Sequence, residues 1–142
     1  MVRVMASGVF DILHTGHVSY LEQARAMGDE LVVVVASDET VRRRKHEPVT
    51  PESMRLRLVQ SLKPVDEAVL GLSGGDMYST LDRVRPDIIA LGYDQDFDEA
   101  ELSAELRKRG FEIEVRRAKE CAEDLTATRR IIAKIRDREA VD

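Results

Sequence analysis

His14-Thr15-Gly16-His17 sets two imidazoles three positions apart around a glycine. It stands at the mouth of a segment whose apolar residues Val18, Leu21, Ala24 and Met27 recur at helical spacing. The combination suits an anion. Gly16 permits a tight turn and close approach, the helix start offers unpaired N–H groups with partial positive charge, and the two rings add donors around one phosphate. The same residues have a purely structural use, with one histidine capping the helix and the other packed. Zinc held by His14, His17, His46 and Cys121 fits poorly, because i, i+3 histidines without a close cysteine or carboxylate give poor tetrahedral spacing. Neither a P-loop nor a G-x-G-x-x-G fingerprint occurs in the chain.

Three further clusters could serve the same chemistry. Arg42-Arg43-Arg44-Lys45 is the densest positive run. It is either a solvated face or a segment able to fold over a triphosphate, with Lys45 as the reaching residue and Arg55 as a second cation. Gly92-Tyr93-Asp94 follows an apolar run, so its backbone could read the edge of a flat heterocycle while Tyr93 offers a face; an ordinary turn is the alternative. Asp124-Leu125-Thr126-Ala127-Thr128-Arg129 opens the last helical pattern. Its N–H groups, the two threonine hydroxyls and Arg129 fit a phosphate, and helix capping by Asp124 or Thr126 fits equally well.

Positioning these residues falls to an alternation of strands and helices. Val2 to Ala6 reads as a buried strand ending at Ser7-Gly8, and the helix after it reaches Met27 with Gly28 as its stop. Leu31-Val32-Val33-Val34-Val35-Ala36 has no polar alternation, so both of its faces should be covered, as in a parallel sheet flanked by helices. Asp38 is expected to cap a short basic helix through Arg44, and Thr50 to cap a helix running to about Leu62. Three more strands are expected at Ala68–Leu70, Asp87–Leu91 and Glu112–Val115. Helices at Met77–Val84 and Asp98–Arg109 separate them, and a last helix runs from Thr126 to about Arg138. Right-handed crossovers make this an α/β, Rossmann-like, doubly wound five-stranded parallel sheet with helices on both faces. Such a sheet binds ligands beyond the carboxyl ends of its strands, where the order reverses.

Composition narrows the function classes. With 142 residues and no linker or repeat, the chain is expected to be a single domain over 1–142. Lys+Arg 22 against Asp+Glu 27, a net charge of −5, argues against nucleic acid as the partner. The absence of tryptophan and 4% aromatic content leave little for stacking bases. No apolar run approaches a membrane span, and Met1-Val2-Arg3-Val4-Met5 lacks the layout of a signal peptide. The lone Cys121 has no internal disulfide partner. A cytoplasmic protein is expected.

Gly8-x-Phe10-Asp11-x-x-His14-x-Gly16-His17, followed by a helix and a continuous valine strand, resembles the HxGH nucleotidyltransferases, in particular their cytidylyltransferase-like branch. Within that branch it is most similar to the archaeal FAD synthetases, which are FMN adenylyltransferases. The similarity continues through Gly28–Leu31, Ala36–Val41, Pro51–Arg55, Leu62–Asp66, Pro86–Gly92 and Asp94-Gln95. One departure stands out. Glycerol-phosphate cytidylyltransferases carry an R-T-x-G-I-S-T segment before the last helix, where this chain has Cys121-Ala122-Glu123-Asp124-Leu125-Thr126-Ala127-Thr128.

The resemblance implies transfer of AMP from ATP to FMN, with Mg²⁺ or another divalent cation, in a homodimer. It implies His14, His17, Lys45 and Arg129 as catalytic cations and donors. The nucleotide would lie on Gly8, Val9, Phe10, His14, His17, Gly92, Tyr93, Asp94, Thr126 and Thr128. Asp11, Arg55 and Cys121 would stand on the acceptor side, with Asp11 also the candidate magnesium ligand. Transfer from CTP to glycerol 3-phosphate or a sugar phosphate, and noncatalytic nucleotide binding, remain alternatives.

Overall fold

The computed structural model describes residues 1–74 and 76–141, with side chains as far as Arg138. Five strands, β1 (Arg3–Gly8), β2 (Glu30–Val35), β3 (Glu67–Leu70), β4 (Ile88–Leu91) and β5 (Glu114–Arg117), form an all-parallel sheet in the order β3-β2-β1-β4-β5. The connections are α1 (Thr15–Ala26), α2 (Asp38–Arg44) and α3 (Glu52–Gln60) on the β1 to β3 side, then α4 (Met77–Val84) and α5 (Glu99–Lys108). The chain closes with α6 (Thr128–Val141).

The side-chain period of two sorts the strands between two cores. Val4, Ala6, Leu31, Val33 and Val35 join Leu21 and Ala24 of α1 and Val59 of α3 on one face. Met5, Val32, Val34, Ile89 and Leu91 join Leu81 and Val84 of α4 and Leu102 and Leu106 of α5 on the other. Every residue of β2 after Glu30 is therefore buried, which is why that strand shows no polar alternation. The doubly wound expectation holds.

Several boundaries moved, each for a local reason. β1 runs on to Gly8 because Ser7 and Gly8 stay in register with Val34 and Val35. β5 sits two residues later than expected: Ile88 pairs with Glu114 and Leu91 with Arg117, while Phe111 still donates back to the Leu106 carbonyl. α2 is capped by Ser37, whose hydroxyl accepts from Thr40 N at 3.2 Å, so Asp38 is freed for another partner. Pro51, not Thr50, holds the N-cap position of α3, which stops at Gln60. α6 begins two residues late, at Thr128, with the Ala127 carbonyl just outside it accepting the first bonds, from Arg130 N at 3.0 Å and Ile131 N at 3.3 Å.

Candidate active site

β1 pairs with β2 through Gly8 but with β4 only through Ala6, so a crevice opens between β1 and β4 at the carboxyl ends of the strands. This is where the strand order reverses. The parting strands would strand the Ser7 N–H and C=O and the Ala90 C=O. Two side chains take them up. Tyr20 of α1 accepts from Ser7 N at 3.2 Å and donates to the Ala90 carbonyl, and Gln95 donates to the Ser7 carbonyl at 3.0 Å. Burial pushes the Tyr20 phenol well above its ordinary pKa, so it stays a neutral donor.

A cavity of about 380 Å³ fills the crevice. Gly8, Val9, Phe10, Asp11, His14, His17, Lys45, Gly92, Tyr93, Asp94, Cys121, Thr126, Thr128 and Arg129 all line it. Segments from four separate connections thus meet, as their sequence clusters anticipated. Strain concentrates here: Phe10 (φ 57°), Ile12 (φ 52°) and Leu125 (φ 54°) are left-handed non-glycine residues in the loops that shape the cavity.

The two imidazoles stack, with centroids 3.7 Å apart and planes 23° from parallel. The His14 N–H donates to Nδ1 of His17 at 3.2 Å, which leaves Nε2 as the remaining polar atom of the His17 ring. Nδ1 of His14 is buried and makes no hydrogen bond among the described residues. Gly16 is required by proximity, since a Cβ there would lie 2.9 Å from both the His14 ring and the Thr126 carbonyl. The start of α1, with its first N–H groups lacking intrahelical acceptors, therefore abuts the loop before α6.

Burial lowers the His17 pKa to about 4, helped by His14 and opposed by Asp11. Burial also lowers that of His14, against the pull of Asp94. Burial thus favours the neutral form of both rings. A buried neutral histidine takes up its proton more readily in the unfolded chain, so its stabilising contribution is complete above about pH 6.5 and is lost as pH falls through about 4. Thermal stability is expected to decline between pH 6.5 and 4, and less steeply in His17→Asn; parallel Tm profiles for the two proteins would contradict this origin.

Hydrogen bonds within the protein engage several of the expected site residues. Arg55 is fully buried and lies outside the cavity. Its guanidinium donates to the carbonyls of Val9 (2.8 Å), Ala36 (2.7 Å) and Thr50 (3.0 Å) and to Asp38 (2.6 Å). It clamps loops together and touches no ligand space. Asp11 is 5% exposed, and its carboxylate accepts from Val49 N (2.8 Å), Thr50 N (3.0 Å) and the Thr50 hydroxyl (2.7 Å). Burial alone would raise its pKa, but these bonds outweigh burial and hold it below the usual range. Its job is to fix the segment after Lys45. Thr128 donates its hydroxyl to the Asp11 carbonyl, tying α6 to the first loop and leaving its backbone N–H, not its hydroxyl, as the donor it could offer a phosphate. Of the basic run, Arg42 and Arg43 pair with Glu47 and Glu39 on the surface, and only Lys45 reaches the cavity.

Among the described residues no group of three His, Cys, Asp or Glu could hold a metal. With the Asp11 oxygens engaged, the residues present do not fit a protein-held magnesium ion. Tyr20 and Lys119, which the sequence does not single out, also line the cavity, as does His46, considered above only as a zinc ligand. The backbone of Lys119 is held by two bonds to Gln23 on α1, at 2.8 and 3.1 Å. Tyr20 could not be told from a packing aromatic, being one helical turn past His17.

A family profile described as cytidylyltransferase-like matches residues 5–139. The chain belongs to the cytidylyltransferase-like family. Among curated proteins, FAD synthase of Aciduliprofundum boonei is 61% identical over 139 residues, covering 97% of this chain and 93% of that protein. FAD synthase of Methanothermobacter thermautotrophicus is 52% identical over 143 residues, covering 98% and 94%. Among solved structures, a Thermoplasma volcanium protein described as a lipopolysaccharide core biosynthesis protein superposes with a TM-score of 0.82 at 52% identity, covering 85% of this chain and 98% of that one. Membership in a cytidylyltransferase-like family agrees with a cavity lined by HxGH imidazoles at the sheet's switch point.

Proposed function

We propose that this protein is an FMN adenylyltransferase, an FAD synthase in the cytidylyltransferase-like family. The identity to proteins named FAD synthase, over nearly the whole length of both chains, carries the reading. The geometry supports the chemistry: a neutral imidazole pair at the start of α1 faces a cavity that also receives Lys45 and Arg129.

A phosphate oxygen of FMN attacks the α-phosphorus of ATP in line, the bond to the β-phosphate oxygen breaks, and FAD and pyrophosphate leave. No enzyme-bound intermediate is formed. What the protein supplies is position and charge. His17 through Nε2, His14, Lys45 and Arg129 stabilise the triphosphate and the charge that shifts onto pyrophosphate. Gly8, Val9 and Phe10 give the nucleotide a surface, and Gly92, Tyr93 and Asp94 lie where a base would. Magnesium enters on the nucleotide as part of the substrate, in keeping with that ion's preference for phosphate oxygens and water. Cys121 borders the cavity without a chemical step assigned to it.

The proposal includes a homodimer, as the family resemblance implies, and a single-domain unit in the cytoplasm, as length and composition suggest. No helix among the described residues is long and apolar enough to cross a membrane. Labelled ATP tests the mechanism: label at the α-phosphorus is expected in FAD and label at the γ-phosphorus in pyrophosphate. Label from the γ position in the flavin product would contradict it.

A further inference from the structure

Arg117 closes β5 and lies outside the set of residues that line the cavity. Its side chain is nevertheless the hub of the loop that follows β4. One guanidinium nitrogen donates to the carbonyls of Gly92 (2.9 Å), Tyr93 (3.2 Å) and Gln95 (2.9 Å). The other donates to the Phe97 carbonyl, and Nε pairs with Glu99 at the start of α5. One planar fork thus fixes carbonyls at four positions over six residues of chain, which a lysine's single point of charge cannot do.

The same loop is pinned from its other side by Gln95, which accepts from Gly92 N at 2.8 Å and donates to Ser7 in β1 at 3.0 Å. Gly92, Tyr93, Asp94 and Gln95 all border the cavity. With those carbonyls turned to Arg117, what remains unpaired where the loop borders the cavity, among the described residues, is the N–H groups of Tyr93 and Asp94 together with the Asp94 carbonyl and carboxylate. A base edge that sets a ring-nitrogen acceptor beside an exocyclic amino donor is the complement of such a surface.

We propose that Arg117 is a positioning residue for the nucleobase, acting through the 92–97 loop that it holds and not by touching the nucleotide. This rests on the nucleotidyltransferase reading of the cavity. The consequence is a split between substrates: loosening the loop weakens ATP but leaves the acceptor and the reacting phosphates alone.

The test compares Arg117→Met, Arg117→Lys and Glu99→Gln with the wild type. It measures ATP binding by calorimetry, KM for ATP and for FMN, kcat and Tm. Arg117→Met is expected to weaken ATP binding and raise its KM at least tenfold, with KM for FMN within about twofold and kcat within about threefold. Arg117→Lys should fall between Arg117→Met and the wild type, and Glu99→Gln should stay close to the wild type. If Arg117→Met lowers Tm while ATP binding is unchanged, or if the KM for FMN rises instead, the proposal is overturned. If Arg117→Met does not fold, Arg117→Lys decides on the same criteria. Wild-type protein that binds ATP without making FAD would overturn the activity reading while the calorimetric comparison still judged Arg117; failure to bind ATP would overturn both.

Discussion

Replacing His17 by asparagine is expected to lower kcat about 10²- to 10³-fold while the chain stays folded. The asparagine carbonyl can take over the acceptor role of Nδ1 toward the His14 N–H, a bond of 3.2 Å that shapes the start of α1. It cannot supply what Nε2 offers to the cavity. His17→Ala removes both functions, together with the stacking on His14 at 3.7 Å and the contact with the Phe10 ring at 5.4 Å. It should therefore match the asparagine variant in lost turnover and exceed it in lost Tm. His14→Ala is expected to show a comparable loss of turnover. Steady-state FAD formation and thermal unfolding on the three variants check these results, and wild-type turnover in His17→Asn would remove the imidazole from the mechanism.

The second large effect is on stability. Arg55→Met should cost about 3 to 5 kcal/mol, because it leaves the Asp38 carboxylate and the Val9, Ala36 and Thr50 carbonyls without the partner around which they are arranged. For a domain of this size that corresponds to a fall in Tm on the order of 10 °C. The guanidinium joins the loop after β1, the end of β2, the start of α2 and the approach to α3, so its loss should also loosen Lys45 against the cavity. An unfolding curve within about 2 °C of the wild type would contradict the clamp.

These two residues also show what a sequence can and cannot disclose. The HxGH block was legible because the imidazoles, the glycine and the helix start stand within a few positions of one another, and because the unbroken valine run of β2 announces a sheet covered on both faces. Arg55 misled for a physical reason: a cation just inside a helix after a basic loop has the same local pattern whether it faces a phosphate or is buried among carbonyls. The difference lies in residues up to 46 positions away, as for Val9.

Asp11 misled in the same way. A carboxylate between strand and histidines reads as a metal ligand, yet its partners are Val49 and Thr50, 38 and 39 positions on. Thr50 in turn was expected to cap α3, and its hydroxyl went to Asp11 instead. β5 was placed two residues early because Ile113 marks β propensity but not register, and as an edge strand β5 shows only weak burial alternation. The cavity was therefore legible as a set of loops, while the division between side chains that touch a ligand and side chains that hold those loops was set by long-range hydrogen bonds.

The most direct measurement is pyrophosphate release with Mg²⁺ in four parallel mixtures, ATP or CTP crossed with FMN or glycerol 3-phosphate, with the products separated by chromatography. Release with ATP and FMN, yielding FAD in equal amount, is the result this account predicts. Release only with CTP and glycerol 3-phosphate, or none in any mixture, would contradict it.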